Sequence, residues 1–295
     1  VDTNDEWIRT RTGIRERRIS SGEGTRHLAA KAAERALAAA GVAPEELDII
    51  ILGTSSPDRN YPSDACSVQA AIGAVNAVAF DISAACAGFI FAMNIVEGFF
   101  KAGIYKTALI IGAETLSKVT DWSDRGTCVL FGDGAGAAVL KAEETGIIDM
   151  MMGADGTKGD VLACTSRTVG NFLTGTKPEL GFMTMDGQEV FKFAVRKVPE
   201  SVMELLQRTG TKKEDIKYYV LHQANERIIE AAARRLKEPM EKFPMTIGQF
   251  GNTSTASIPL LLDDMIQKDM LKRSDKIIMS GFGAGMTWGA VLMEW

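Results

Sequence analysis

About halfway along, the pattern of this chain begins again, and that repetition limits its fold more than any single motif. A helix closed by Gly41, a charged turn at Glu45-Glu46 and the strand Asp48 to Gly53 come first. They return as a helix running on from Gln188 and closed by Gly210, a second charged turn and a strand ending at His222. Gly41 and Gly210, Gly53 and His222, and Gly112 and Gly281 are each separated by 169 positions. On the same spacing Cys86 falls opposite Thr255, and Asn252 to Ser257 opens a second helix as Ser83 to Phe89 opens the first. Alternating strands and helices in both copies predict an α/β fold of βαβ units with largely parallel, buried sheets. The two halves are expected at residues 1–146 and 147–295, related by a pseudo-twofold that brings their corresponding loops together.

The stretch at the centre of the first copy is Asp81-Ile82-Ser83-Ala84-Ala85-Cys86-Ala87-Gly88-Phe89. Ala77 to Ile82 has the apolar, β-leaning character of a buried strand, and small and apolar residues then run from Ala84 to about Phe100 with helical length. Ser83 is the expected N-cap, which puts Cys86 in the first turn. A thiol there feels the positive end of the helix dipole and becomes a better nucleophile. The small neighbours leave room for a substrate. The competing reading is packing, since free cysteine is among the most buried residue types.

Composition narrows the classes. The chain has 295 residues, 46% of them hydrophobic, which suffices for a large core. A formal net charge of -5 argues against a general nucleic-acid binder. Cys66, Cys86, Cys128 and Cys164 form no C-x-x-C pair, so reduced thiols in a cytoplasmic protein are expected, with no disulfide framework and no zinc or other metal site. The most apolar stretch, Ile82 to Val96, is too short to span a bilayer, so no membrane association is expected. The chain opens on Val1-Asp2-Thr3 without Met, as the middle of a domain would, and residues ahead of it are expected.

Several further segments bear on chemistry. Trp7 to Arg15 gathers arginines around one aromatic, which suits either a solvated turn or a site for phosphate and an aromatic base. The glycines of Phe131 to Leu140 feed an apolar strand where a nucleotide fingerprint needs a helix, so they are read as close backbone packing. Residues 150–187 read as Gly-rich and irregular. Of the two histidines, His27 opens an Ala-rich amphipathic helix as a solvated or capping residue, while His222 ends a strand ahead of Gln223-Ala224-Asn225. Asn252 offers a second amide donor at a helix start, and Ser280 to Met286 supplies flexible backbone N–H groups for an oxyanion hole. Cys with His suggests covalent acyl chemistry, with hydrolysis and acyl transfer in competition.

Together, Asp81 to Phe89, His222 to Asn225, Gly251 to Ser254 and Gly281 to Gly285 resemble the bacterial 3-oxoacyl-[acyl-carrier-protein] synthase III family. The likeness extends to Asp5-Glu6-Trp7, Thr10 to Ile14 and Phe131 to Leu140, so it spans nearly the whole chain. It implies the thiolase fold, a five-layered αβαβα arrangement of two similar halves, and a homodimer. It also implies an initiating condensation of a short acyl-CoA, often acetyl-CoA, with malonyl-acyl carrier protein in type II fatty-acid synthesis, with no cofactor. On this resemblance Cys86 is the acylated nucleophile, and His222 and Asn252 stabilise the enolate left by decarboxylation. The N–H groups of Cys86 and Ala284 form the oxyanion hole. Trp7, Arg11 and Arg125 hold the adenine and phosphate end of coenzyme A, while Gly187, Ala224 and Asn225 line the pantetheine channel. Phe282 lines the tunnel, and Tyr61 reaches the partner's acyl pocket.

Two departures accompany the likeness. The first half lacks its first strand, and Lys237-Glu238-Pro239 stands where a Gly-containing turn is expected. The alternatives are a relative using branched or longer primers or serving polyketide metabolism, a Cys–His thioester hydrolase, and a non-catalytic acyl-CoA-binding member. A basic face formed by Lys192, Arg196, Lys197, Arg227, Arg234 and Arg235 is the expected dock for the acidic carrier protein, against the plainer reading of a solvated face.

Overall fold

The computed structural model describes residues 1–295. Helix α1 (Asp5–Thr12) starts where the Asn4 side chain accepts the Trp7 N–H and stops at Gly13, whose φ of 83° is left-handed. Then come α2 (Thr25–Ala40), β1 (Ile49–Gly53), α3 (Asp64–Ile72), β2 (Val78–Ile82), α4 (Gly88–Lys101), β3 (Thr107–Glu114), α5 (Arg125–Cys128) and β4 (Gly134–Lys141). The second copy runs through β5 (Ile147–Gly153), β6 (Leu162–Cys164), β7 (Met183–Met185), α6 (Gly187–Thr209), β8 (Ile216–Leu221), α7 (Glu226–Leu236), α8 (Ile247–Phe250), α9 (Ser257–Gln267), β9 (Lys276–Gly283) and β10 (Thr287–Glu294).

Two four-stranded sheets form, in the orders β2-β1-β3-β4 and β5-β10-β9-β8. The alternation of side chains along the strands dictates what covers each face. Ile50, Leu52, Leu109 and Ile111 face outward and pack under α2 and α3. Ile49, Ile51, Ala108 and Ile110 face inward, toward Phe89, Met93 and Val96 of α4 and Ile258, Leu261 and Met265 of α9. Ile277, Met279 and Val291 of the second sheet meet the same helices from the other side, while Ile278, Leu292 and Tyr219 pack outward under α6 and α7. The outcome is helices, sheet, helices, sheet, helices: the five-layered α/β arrangement that the resemblance implies.

The expectation of largely parallel sheets holds for β2, β1 and β3 and for β8 with β9. It fails elsewhere: β4, β10 and β5 are all antiparallel to their neighbours. The three-residue turn Ala284–Met286 joins β9 to β10 directly, and a connection that short builds a hairpin, because a parallel pair needs a long crossover. The strand missing from the first copy does not leave its sheet with fewer strands. The repeat places a partner of β2 at residues 247–251, but α8 occupies that stretch, so both sheets have four. Residues 150–187 are more ordered than they read, carrying the end of β5 and the β6–β7 ribbon. Lys237 takes the left-handed conformation itself (φ 56°) and ends α7 as a glycine would.

Glycines on the strands set how closely the two copies meet. A Cβ on Gly112 of β3 would run into the backbone carbonyl of Thr255. A Cβ on Gly136 of β4 would lie 2.9 Å from the Leu260 nitrogen in α9, as the packing reading of that glycine run requires. We expect Gly112→Ala to lower the unfolding free energy by about 1–3 kcal/mol, as overpacked cores do. Gly98, exposed in α4 with nothing within 4 Å of its missing Cβ, is the control. Gly98→Ala should raise stability by roughly 0.5–1 kcal/mol through helix propensity alone. Denaturant titration of the two variants checks the contrast, and equal effects would refute it.

Candidate active site

Cys86 lies on a single 3-10 turn, Ala85–Ala87, between β2 and α4, so the α-helix begins four residues after the position expected from sequence. Ser83 makes no cap, because Ala85 turns into the left-handed region (φ 46°) and swings the chain away from it. The same device recurs at Ser254 (φ 50°), the residue that the repeat places opposite Ala85. The Cys86 turn sits against β9: a Cβ on Gly283 would lie 2.6 Å from the Cys86 nitrogen, and one on Gly281 3.3 Å from its carbonyl oxygen. The Cys86 N–H is directed at the Cys86 sulfur, and Ala284 lines the same cavity.

The thiol is buried at 6% exposure and faces a cavity of about 60 Å³. Leu116, Val119, Phe131, Leu162 and Met183 line it with Ser254 and Ala284. Burial pushes the thiol up to about 12, with Ser254 opposing the rise and the Glu114 carboxyl adding to it. The thiol is therefore protonated at rest. Burial thus opposes the helix-dipole activation expected from sequence, because loss of water outweighs the turn's N–H groups.

His222 follows β8, and its N–H donates to the Ser280 carbonyl of β9 (2.9 Å). Its ring meets Phe282 edge-on at 5.2 Å, and burial lowers its pKa to about 3, so it is neutral. Ser257 Oγ lies 2.7 Å from Nδ1 and accepts the Gln223 N–H at 3.3 Å. The serine proton has no acceptor except Nδ1, so the ring proton resides on Nε2. Asn252 is fixed the same way: its Oδ1 accepts the Ser254 N–H at 2.9 Å, which turns Nδ2 outward as a donor. Its backbone pairs with Leu130 and Gly132, next to Phe131 of the cavity wall. Cys86, His222 and Asn252 thus gather around the end of β9 and the turn Ser254–Ala256. Two neutral N–H donors, without protein acceptors, accompany one thiol.

A second group of expected residues assembles outside. Trp7 lies between the guanidinium groups of Arg11 (4.9 Å) and Arg125 (5.0 Å). Asn225 donates to the Arg11 carbonyl and Arg227 to that of Thr10, tying the start of α7 to α1. Ala224 is in that same β8–α7 connection, and Gly187 is exposed at the start of α6. Phe282 touches His222 without lining the Cys86 cavity, and Tyr61 is 85% exposed on the β1–α3 loop, away from the cavity wall. On the basic face, Lys192 pairs with Glu189, Lys197 and Arg235 with Glu200, and Arg234 with Glu230. No set of three His, Cys, Asp or Glu side chains is placed to hold a metal ion, and no helix is long and apolar enough to cross a membrane. Sequence reasoning gave Ser257 and Glu114 no role. Ser257 stood in the quoted motif, but its partner is 35 residues away, and nothing local marks Glu114.

Known proteins resemble this chain along its whole length. Residues 80–156 match the family model described as 3-oxoacyl-[acyl-carrier-protein (ACP)] synthase III, and residues 206–295 match its C-terminal counterpart. The chain is 53% identical to the beta-ketoacyl-[acyl-carrier-protein] synthase III of Clostridium novyi (strain NT), over all of this chain and 92% of that protein. Among solved structures it is similar to the 3-oxoacyl-[acyl-carrier-protein] synthase III of Aquifex aeolicus VF5, with TM-score 0.92 and 47% identity. It is similar also to the beta-ketoacyl-[acyl-carrier-protein] synthase III of Thermus thermophilus, with TM-score 0.93 and 42% identity. Both structural matches cover 100% of this chain and 92% of the other.

The tautomer is directly testable, because the chain holds only two histidines. Nitrogen NMR of labelled protein should give one neutral ring protonated on Nε2 that does not titrate between about pH 8 and pH 5. Ser257→Ala should mix the two tautomers of that ring while leaving the exposed His27 signal unchanged. A His222 signal protonated on Nδ1 would contradict the assignment.

Proposed function

Because the chain belongs to the 3-oxoacyl-[acyl-carrier-protein] synthase III family, the initiating condensing acyltransferases of fatty-acid synthesis, we propose that it joins a short acyl group held on Cys86 to a malonyl thioester. The Cys86 sulfur attacks the acyl-CoA carbonyl, the C–S bond to coenzyme A breaks, and the thiol proton leaves with the coenzyme thiolate. Malonyl-acyl carrier protein then enters and loses carbon dioxide. His222 Nε2–H and Asn252 Nδ2–H hold the thioester oxygen as the enolate forms. The enolate carbon attacks the acyl-Cys86 carbonyl, whose oxyanion is held by the Cys86 and Ala284 N–H groups. The C–S bond to Cys86 breaks, 3-oxoacyl-acyl carrier protein departs, and the sulfur regains a proton from solvent.

The observation that carries this reading is the pair of neutral donors beside a buried thiol. With a pKa of about 3, His222 is a poor base for activating water, which disfavours a hydrolase. As a donor it steadies an enolate without transferring its proton. The small apolar cavity favours acetyl-CoA or another short primer, because a longer chain must displace Leu116, Val119 or Met183. The Trp7, Arg11 and Arg125 cluster suits the adenine and phosphates of coenzyme A, and the neighbouring Ala224, Asn225 and Gly187 suit its pantetheine arm. In this reading the enzyme works in the cytoplasm as a homodimer, with Tyr61 reaching the partner, and its steps use no cofactor.

Separating the half-reactions tests the assignment. Incubation with acetyl-CoA should place the acetyl group on Cys86. His222→Ala and Asn252→Ala should each retain that transfer while lowering condensation by roughly a hundredfold or more, the size of a lost oxyanion-type donor. Intact peptide mass spectrometry and a malonyl decarboxylation assay read the two steps. Acetyl on Cys66, Cys128 or Cys164 alone would overturn the nucleophile. Loss of transfer with decarboxylation intact would reverse the roles of the pair.

The basic face is the proposed dock for the carrier protein. Four of its six cations share the carboxylates of Glu189, Glu200 and Glu230, and Arg196 and Arg227 form no ion pair. Arg227 is engaged with α1, so Arg196 and Arg234 are the better probes. Reversing both to Glu should lower kcat/KM for malonyl-acyl carrier protein by roughly tenfold at low salt, with the loss shrinking as salt rises. Transfer from acetyl-CoA should be unaffected. An equal fall in both half-reactions would remove the face from docking.

A further inference from the structure

Behind the Cys86 turn lies a carboxyl group that the reaction above does not use. Glu114 ends β3 and is fully buried. Its Oε2 accepts from Ser56 Oγ (2.5 Å), the Ser55 N–H (3.0 Å) and, more weakly, Thr54 Oγ1 (3.3 Å). Its Oε1 accepts the same Ser55 N–H at 3.2 Å and lies 3.0 Å from Thr255 Oγ1, and Thr255 Oγ1 lies 2.7 Å from the Ala85 carbonyl. Ala85 is the left-handed residue that swings Cys86 into the cavity. Thr255 is the counterpart of Cys86 in the second copy.

The single Thr255 proton links the state of Glu114 to the Ala85 carbonyl. Thr255 has one hydroxyl proton and two oxygen neighbours at bonding distance. The Ala85 carbonyl only accepts, and it is the nearer of the two. If Glu114 were ionised, both neighbours would compete for a single proton. A proton on Oε1 satisfies every oxygen: Glu114 donates to Thr255, and Thr255 donates to Ala85.

The surroundings agree. No cation bonds Glu114, and Lys118, the nearest lysine along the chain, is turned to Asp58 (2.8 Å). The residues bonded to the carboxyl from the β1–α3 loop and from the Ser254–Ala256 turn are Thr54, Ser55, Ser56, Ser254 and Thr255, none of them charged. From the 3-10 turn the titratable group is Cys86. Burial raises the Glu114 pKa above the usual carboxylate value, in the same direction.

We propose that Glu114 is a positioning residue acting as the neutral acid, whose proton, relayed through Thr255 to the Ala85 carbonyl, fixes the elbow that presents Cys86 to the acyl group. Neutrality matters as much as the bonds, since a carboxylate here would oppose the thiolate that must form during attack. This rests on the assignment of Cys86 as the acylated residue, which the acetyl-labelling experiment tests separately.

Two variant pairs and one spectrum test it. In Glu114→Gln the amide N–H can donate to Thr255 while the amide oxygen accepts from Ser55 and Ser56. It should keep acetyl transfer to Cys86 within about threefold of wild type, whereas Glu114→Ala should lose about tenfold or more in the rate constant, the effect of a lost hydrogen bond at the reacting centre, with little change in KM. The Thr255→Ser and Thr255→Val pair repeats the contrast without touching the carboxyl, and covers the case in which Glu114→Ala does not fold. Infrared difference spectra of wild type against Glu114→Gln should show a protonated carboxyl band in the wild type alone. Iodoacetamide should alkylate Cys86 at equal rates in these two proteins. Absence of that band, or several-fold faster alkylation in Glu114→Gln, would mean an ionised Glu114 and overturn the proposal. Full acetyl transfer in Thr255→Val would overturn the positioning role.

Discussion

Everything at the site depends on one reciprocal contact: each copy presses its helix-opening turn against a glycine at the end of the other copy's central strand. Thr255 sits against Gly112 of β3, and Cys86 sits against Gly281 and Gly283 of β9. Gly112 and Gly281 are repeat partners, as are Thr255 and Cys86, so the contact is made twice across the pseudo-twofold. A side chain at any of these strand positions would push the halves apart. The same equivalence explains how one side became reactive. His222 occupies the position that Gly53 occupies in the first copy, and a Cβ on Gly53 would lie 2.7 Å from the Thr255 methyl. A bare glycine there gives Thr255 its room; the histidine on the other side packs its ring against Phe282 of β9.

Burial, more than the helix dipole, sets the protonation states. It raises Cys86 and Glu114 and lowers His222, and all three shifts favour the neutral form. A site with no resting charge has little need to hold water. In the proposed reaction the first charge to appear is one that the chemistry makes, and the N–H groups proposed to meet it are those of Cys86 and Ala284 on one side and of His222 and Asn252 on the other. Orientation is supplied by partners that themselves do no chemistry. Ser257 selects the imidazole tautomer and the Ser254 N–H selects the face of the Asn252 amide. Fixed dipoles of this kind need no reorganisation when charge develops.

Much of this was legible in the chain before any coordinates. The repeat gave the two halves and put Thr255 opposite Cys86, and the strand and helix patterns located most elements to within a residue or two. The legible features were those written in local periodicity or in spacing along the chain. What escaped was set by contacts between distant residues. The Ser83 cap failed because Ala85 takes a left-handed conformation, held through Thr255, which is 170 positions away. Residues 247–251, which the 169-residue spacing aligns with β2, form a short helix anchored where the buried Gln223 side chain accepts the Thr246 and Ile247 N–H groups. Glu114 carries no sequence signal, since an acidic residue after an apolar strand more often marks an exposed loop. The basic face looked more open in sequence than it is, because its carboxylate partners come partly from a neighbouring helix.

The link between the outer cluster and the thiol follows from the same economy of contacts. The turn that leaves β8 carries His222, Gln223, Ala224 and Asn225 in succession, so the reacting ring and the residues proposed for the pantetheine arm share one short backbone segment. That segment is tied outward to α1 through Asn225 to Arg11 and Arg227 to Thr10, and inward to β9 through the His222 N–H. A Cβ on Gly13, just past α1, would strike Glu226 at the start of α7, so the tie is also a close steric fit. Trp7 and Arg11 are therefore tied to the segment that carries His222 through the Asn225 and Arg227 side chains, which hold the backbone of α1. A thioester whose nucleotide end is held at Trp7 has its carbonyl placed by the length of its own arm. Selection by reach in this way asks nothing of the apolar cavity except that it receive the acyl group.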